Sequence, residues 1–457
     1  MVKFGIDSSK LNEFKRVIKE ILKEIKPSSS QNNHEKKFVD SLLNKINKMN
    51  GVHKRAIIAG SFARNTNLKD SKDFDIFVMY PKDTDKEVFV NQSLSLGKEV
   101  FKGNFWEKAY SQHPYIRGII DGYKVEVVPA YDIENTSELI SAVDRTPFHL
   151  EYLLKALKNS QKDDIRLLKY FLKRIGCYGA DSEFLGFSGY LCELLVLHYN
   201  DFLGVLQAVN NWDFNTKIAL EDEHEVSLNK FNDPLIVIDP TDSNRNVASA
   251  VARTTISKFI MASRLFLNNP TLDFFKEKIF RNLNYNQLVG KIENIPLLIL
   301  EIENKDLLKD IVWSKIRRLG KKLNIYLNEE DFKILKLNYY YNEDSSKAYV
   351  FVIVNNLQRS GLKLSIGPKV NSIVHCENFI NNSRASFGPY IKEDYLYSLK
   401  LRNQINIKPL ILDFLFNNFK LPTKVYVGEE VRDLYLSNLE ISSYFSKFFL
   451  NKEEFLL

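Results

Sequence analysis

The stretch G-S-F-A-R-N-T-N-L-K-D-S-K-D-F-D-I-F at residues 60–77 decides how this chain is read. An apolar run, Ala56-Ile57-Ile58-Ala59, leads into Gly60-Ser61, and Asp73-Phe74-Asp75 opens a second apolar run that continues to Val78. Side chains two apart in a strand share a face, so Asp73 and Asp75 project together while Phe74 and Ile76 turn into the core. Further along, Val125-Glu126-Val127-Val128 is another apolar strand carrying a third carboxylate. Phosphoryl transfer from a nucleoside triphosphate asks mainly for positioning and charge neutralisation. Two divalent cations about 3.5–4 Å apart can activate an attacking hydroxyl and hold a leaving pyrophosphate, and hard cations such as Mg²⁺ take carboxylate oxygens. Gly60 lets the backbone approach phosphates, which Ser61 and the following amides can hydrogen-bond. Asp73, Asp75 and Glu126 are therefore the expected catalytic carboxylates and metal ligands, and the constellation points to nucleotidyl transfer. A D-x-D alone is common; the Gly-Ser turn before it and the acidic strand after it give it meaning.

A chain of 457 residues has length for about three domains, each with its own core. Its 44% hydrophobic content, without long low-complexity tracts, argues for a folded protein. Met1 to Lys10 has no apolar run, so no secretory signal is expected, and no uncharged stretch is long enough to span a bilayer. Cys177, Cys192 and Cys376 fit no zinc spacing and suggest a reducing cytoplasm. The net charge of +7 is only a mild pointer to nucleic acid; local clusters matter more. Lys305, Lys309, Lys315, Arg317, Arg318, Lys321 and Lys322 form such a cluster on an expected helix, where an ordinary solvated face is an equal reading.

Leu11, Phe14, Val17, Ile18, Ile21, Leu22 and Ile25 recur with helical period up to Pro27. Ser28 to Asn33 reads as a loop, and Lys37 to Met49 as a second helix. Tyr115–Ile120 and Tyr123–Val128 flank Asp121-Gly122 as a hairpin. This mixed sheet with helices ends near residue 150. The next segment, to about 265, reads as mainly helical: Ile165, Leu168, Phe171, Leu172 and Ile175 form a stripe stopped by Gly176, with Arg166, Lys169 and Lys173 on the other side. A short strand over Leu235–Asp239 precedes Arg245. The remainder reads as strands at 296–302, 332–340 and 349–354, a helix at 305–323, and helices at about 406–420 and 428–448. No internal repeat is visible.

Further segments carry a resemblance: H-P-Y-I-R-G at 113–118, V-E-V-V-P at 125–129, S-A-V-D-R-T-P-F-H at 141–149, R-L-L-K-Y-F-L-K at 166–173, G-F-S-G-Y-L-C-E-L-L at 186–195 and D-P-T-D-S-N-R-N-V-A at 239–248. With residues 60–77, and in this order, they resemble the archaeal-type (class I) CCA-adding enzymes, which are tRNA nucleotidyltransferases. The resemblance is strong over about 55–280 and looser beyond. It implies addition of C, C and A to the tRNA 3′ end from CTP and ATP, with Mg²⁺ as cofactor and release of pyrophosphate. It also implies that Asp73, Asp75 and Glu126 hold the metals, that Ser61 and Arg64 bind the triphosphate, that His149, Lys169 and Tyr178 belong to the nucleotide site, and that Arg245 helps read the base edge. The implied fold is a multidomain α+β chain. It has a palm-like catalytic domain at 1–150, a helical central domain at 151–265 completing the nucleotide site, an α/β body at 266–380 and a helical tail at 381–457. The last two would hold the acceptor stem and TΨC region of tRNA in the cytoplasm, with no membrane partner; a homodimer is the oligomer to expect if the chain associates.

Each assignment has a plain rival. Arg64 could pair with an acidic neighbour, His149 and Tyr178 could be core residues, Lys169 could be solvated, and Arg245 could form an ion pair with Asp239 or Asp242. Two positions depart from the family pattern: Glu126 stands where Asp is usual, and Asp70 where Gly is expected. A poly(A) polymerase or an oligoadenylate-type synthetase shares the Gly-Ser and D-x-D motifs. A non-catalytic RNA-binding protein would not need all three carboxylates, and an aminoglycoside-type transferase would not need the long C-terminal extension.

Overall fold

The computed structural model describes residues 8–110, 112–276, 285–292, 295–305, 307–383, 385–450 and 455. By compactness the chain divides into Met1–Lys278 with Glu453–Leu457, and Ile279–Lys452.

In the first unit, helices α1 (Ser8–Ile25) and α2 (Ser29–Asn47) precede strand β1 (Arg55–Ile58), the short helix α3 (Gly60–Ala63) and strand β2 (Asp73–Pro81). Helix α4 (Lys86–Val100) and strands β3 (Phe105–Tyr110), β4 (Pro114–Ile120) and β5 (Tyr123–Asp132) complete a five-stranded sheet of order β1-β2-β5-β4-β3. β2 and β5 are parallel and the other pairs antiparallel. The β4–β5 hairpin turns on Asp121 and Gly122, both at positive φ (52° and 79°), as the Asp-Gly pair requires. One face of the sheet, with Phe74, Ile76, Val78, Val125 and Val127, is buried with residues of α2 and α4. The alternate residues of β2 and β5 point to the opposite face, where the acidic side chains stand.

The α2 helix starts eight residues before the expected Lys37. The Ser28 side chain accepts from the Gln31 N–H as an N-cap, so residues 29–33, expected as loop, form its first turns. Helices α5 (Thr146–Ala156), α6 (Gln161–Arg174), α7 (Gly189–Tyr199), α8 (Phe202–Val209), strands β6 (Thr216–Ile218), β7 (Leu235–Asp239) and β8 (Asp242–Asn246), and helix α9 (Arg253–Asn268) follow. Phe14, Val17, Ile21 and Ile25 of α1 are buried in this helical core, with Ile165, Leu168, Phe171 and Leu172 of α6. The expected basic stripe of α6 is not a solvated face. Arg166 and Lys169 are buried, and only Lys173 is exposed. Arg166 donates to the Asn65 and Asn67 carbonyls (2.7 and 2.8 Å) and pairs with Asp163 (2.7 Å), so it ties the loop after α3 to α6.

The second unit contains α10 (Tyr285–Ile292), β9 (Leu297–Glu303), α11 (Lys309–Glu329), β10 (Ile334–Asn342), β11 (Lys347–Val354), β12 (Leu362–Lys369), α12 (Ile373–Asn382), β13 (Phe387–Lys392), β14 (Tyr395–Leu401), α13 (Ile407–Asn418), β15 (Thr423–Val427), α14 (Glu429–Ser437) and α15 (Leu439–Leu450). Its main sheet, β10-β11-β9-β15, is covered on both faces. Leu298, Leu300 and Ile302 are buried with residues of α11 and α13, while Leu297 and Ile299 are buried with residues of α14 and α15. Two covered faces explain why β9 reads as a continuous apolar run. A second sheet, β12-β14-β13, lies between residues 362 and 401, where no strand was expected, and the helix expected at 428–448 is two helices meeting at Asn438. Among the described residues no helix is long and apolar enough to cross a membrane, and no disulfide joins Cys177, Cys192 and Cys376.

Candidate active site

The parallel register sets Asp75 beside Glu126 and Asp73 beside Lys124, so the carboxylates of Asp73, Asp75 and Glu126 rise from one face of adjacent strands. β1 delivers Gly60 onto the same spot. The Ala59 N–H donates to the Asp75 carbonyl at 2.8 Å, and Gly60 takes φ +68°. A Cβ at Gly60 would sit 2.3 Å from Asp75 Oδ2, so this turn excludes any side chain on two counts. A cavity of about 320 Å³ opens here. Of the candidates, Gly60, Arg64, Asp75, Glu126 and His149 line it, joined by Tyr115 and Tyr190, which the sequence reading did not single out. Ser61, Asp73, Lys169, Tyr178 and Arg245 lie outside the lining.

Burial, then the charges of Glu126 and Asp73, pushes the Asp75 carboxyl up to about 6 against the opposing pull of Arg64. Burial also raises Glu126, opposed by the Tyr115 hydroxyl and by Arg117. Such a cluster has more negative charge than its surroundings neutralise. Among the described residues no three acidic, histidine or cysteine side chains gather tightly enough to hold an ion by themselves. An open carboxylate face fits a hard cation that keeps waters and takes its remaining ligands from substrate phosphates.

Behind the Gly-Ser turn lies a buried ionic cluster. Glu193, fully buried on α7, accepts from Lys169 Nζ (3.0 Å) and from the Thr66 hydroxyl (2.5 Å). Its other oxygen faces Arg64 Nε at 2.9 Å, an ion pair off the hydrogen-bonding axis. Burial would raise the Glu193 carboxyl, but Lys169, Arg64 and Thr66 outweigh it and hold the group below its ordinary value. Lys169 Nζ also donates to the Thr66 hydroxyl and carbonyl (3.1 and 3.3 Å). Lys169 is thus neither solvated nor in the cavity; it is bound to Thr66 in the loop after α3. A Cβ at Gly189 would stand 3.1 Å from the Tyr178 hydroxyl and 3.7 Å from Lys169 Nζ, so this phenol lies beside the same cluster.

Asp239 organises the opposite wall. It is fully buried at the end of β7, and its Oδ2 accepts from His149 Nε2 (2.8 Å) and Arg245 Nη1 (2.6 Å). Its Oδ1 accepts from the Tyr190 hydroxyl (3.1 Å) and from the amide and hydroxyl of Thr241 (3.0 and 2.8 Å). Burial alone would raise this carboxyl; the His149 contact, the Thr241 amide and Arg245 instead hold it well below the carboxylate range. An acceptor-only carboxylate places the proton on His149 Nε2, and the ring stacks on Tyr190 with centroids 4.1 Å apart. Arg245 therefore forms the ion pair with Asp239 that was its plain rival reading. Asp239 and Glu193 were both missed as site residues. A lone acid inside the apolar run of α7 and a lone lysine on the opposing buried face of α6 were the available signal, because each requires the other.

A mixed sheet carrying these carboxylates behind a glycine turn defines a nucleotidyltransferase, and residues 39–149 match the family described as the nucleotidyltransferase domain. Residues 163–276 match the second domain of tRNA nucleotidyltransferase, and residues 295–435 the C-terminal domain of the CCA-adding enzyme. The chain is 37% identical over 429 residues to the CCA-adding enzyme of Methanococcus maripaludis strain C7, covering 90% of this chain and 93% of that protein. It is 34% identical over 417 residues to the CCA-adding enzyme of Methanocaldococcus jannaschii, covering 88% and 91%. The chain belongs to the CCA-adding enzyme family. Among solved structures, the Cid1 poly(U) polymerase superposes with a TM-score of 0.45 at 16% identity, over 58% of this chain and 99% of that one, a likeness too slight to bear on function.

Proposed function

We propose that this chain adds C, C and A to the 3′ end of tRNA, taking CTP and ATP and releasing pyrophosphate. The carrying observation is that it matches CCA-adding enzymes along about nine-tenths of its length while keeping Asp75 and Glu126 paired beside Gly60. In each cycle the terminal 3′ hydroxyl attacks the α-phosphorus, a P–O bond to the tRNA forms, and the α–β bridge breaks toward pyrophosphate. Asp73, Asp75 and Glu126 would hold divalent cations, in our reading Mg²⁺, which supply charge neutralisation for the leaving pyrophosphate and acidify the attacking hydroxyl. Gly60 admits the phosphates against the backbone, with Ser61 as a hydroxyl donor. Arg64 offers a guanidinium fork to the triphosphate at the cavity wall. His149, fixed by Asp239 and Tyr190, presents its other ring nitrogen. Arg245 reads the base edge from the same carboxylate, while Lys169 and Tyr178 brace the loop that carries Arg64.

The chain would act in the cytoplasm, with residues 266–380 and 381–457 holding the acceptor stem and TΨC region. Purified protein, Mg²⁺ and tRNA lacking its CCA test the reading. CTP alone should extend the RNA by two residues, and a third should appear only when ATP joins. Long adenylate tails with ATP alone would make the chain a poly(A) polymerase, and no extension would leave a binding role.

A further inference from the structure

We propose that Glu193 is a positioning residue for nucleotidyl transfer: it holds Arg64 to the triphosphate side of the cavity and away from the carboxylates. The proposal rests on the reading of Arg64 as a triphosphate ligand. Arg64 shares the cavity lining with Asp75 and Glu126, and Asp75 already feels its charge. A guanidinium that swung onto Asp75 would neutralise the carboxylates meant for a divalent cation and leave the phosphates without their donor. Glu193 opposes that swing. It engages Nε at 2.9 Å, which leaves the Nη fork for the cavity that Arg64 lines. Glu193 is itself immobile: it is fully buried on a helix, and its second oxygen is tied to Lys169 and Thr66. Thr66 also closes the turn, because its N–H donates to the Ser61 carbonyl at 2.9 Å. One carboxylate therefore fixes the direction of Arg64 and the seat of the Gly60-Ser61 turn together. Two cations share it, so the cluster keeps one positive charge in a buried place, as suits an anionic substrate.

Glu193→Gln is the informative change. The amide keeps the shape and can still accept from Thr66 and Lys169 on Oε1, but it turns an N–H toward Arg64 Nε and expels the guanidinium. Inorganic tripolyphosphate affinity, measured calorimetrically without metal or RNA, should fall about 10- to 100-fold, the scale of a lost charge-assisted contact. Under turnover, KM for CTP should rise and kcat/KM for CTP fall by at least as much while KM for tRNA stays put; a general loss of folded protein would lower the apparent kcat and leave both KM values alone. Glu193→Asp, which withdraws the carboxylate but keeps the buried charge, should recover part of both, and it decides the matter if the glutamine variant does not fold. Arg64→Ala separates the two levels of the argument. If Arg64→Ala leaves tripolyphosphate affinity and kcat/KM unchanged, the triphosphate reading of Arg64 falls. If Arg64→Ala is costly but the Glu193 variants bind and turn over like wild type, or if their losses add in full to that of Arg64→Ala, the positioning role is overturned. Loss through Glu193 that vanishes in the Arg64→Ala background is the expected result.

Discussion

Glu126 carries its carboxylate one methylene further from the strand than the aspartate usual in the family, yet its register partner is still Asp75. The neighbouring Tyr115 hydroxyl and Arg117 counter its burial, so the longer arm is held by specific contacts. Removing the carboxylate should abolish transfer, whereas Glu126→Asp should retain it. Single-turnover CTP incorporation measures both, and a near wild-type rate for Glu126→Ala would remove this residue from the mechanism. Asp239 makes a different prediction. Its folded pKa lies below its unfolded one, so the stability it contributes is complete above the unfolded value and is lost as pH falls toward the folded one. Asp239→Asn strands Arg245 and His149 and should cost about 3–5 kcal/mol at neutral pH. That gap should hold down to about pH 4 and close below it, as unfolding curves of the two proteins across pH would record. The common face of Asp73, Asp75 and Glu126 could be read in the sequence because strand alternation places side chains on faces. Glu193 showed only as a lone acid in an apolar run and Asp239 only as a rival partner for Arg245, since Lys169, Thr66, His149 and Tyr190 reach them from distant elements and only the folded packing joins them.

The β1–α3 turn joins sheet and chemistry, and its geometry is unforgiving. Gly60→Ala would put a methyl in a left-handed conformation and drive it against the Asp75 carboxylate. The backbone strain is about 1–2 kcal/mol. The displaced carboxylate matters more, since a misplacement of about 1 Å can cost on the order of a hundredfold in rate. The variant should therefore melt only slightly early while its single-turnover rate falls about a hundredfold; an unchanged rate would mean that Asp75 need not stand where it does. Elements with strong periodicity were legible: α1, α6, the β4–β5 hairpin and the β10–β11 pair occur close to where alternation and turn residues put them. The failures have physical causes. Polar residues 29–33 are helical because Ser28 caps them, and the charged side of α6 is buried because carbonyls of the loop after α3 and the Glu193 carboxylate receive its cations. Charge alone signals a solvated face only where no partner waits across the interface.

On the scale of the molecule, an enzyme that extends every tRNA must grip features shared by all of them, and A-form RNA offers its backbone and 2′ hydroxyls more readily than its sequence. The basic cluster read between residues 305 and 322 changes character in the second unit. Lys305 precedes the helix, Lys309 pairs with Glu343 at 2.9 Å, and Arg317 lies over the rings of Trp313 and Tyr339. Lys315, Arg318, Lys321 and Lys322 remain exposed on α11, while Val312, Ile316, Leu319 and Leu323 are buried on the same helix. Where such a surface meets RNA it acts by releasing counterions from the phosphates, and we predict that tRNA affinity falls steeply with salt. Neutralising these four side chains to glutamine should weaken binding at low salt and flatten the plot of log K against log salt by roughly one unit per phosphate contact removed. The two effects must come together, because weaker binding at an unchanged slope would mean a perturbed fold rather than lost phosphate contacts. Affinity for tripolyphosphate should be untouched, since these side chains lie on an element that contributes nothing to the cavity at Gly60. Titrating labelled tRNA with wild-type and neutralised proteins over a range of KCl concentrations measures the slopes, and an unaltered slope with unaltered affinity would return α11 to the ordinary solvated face.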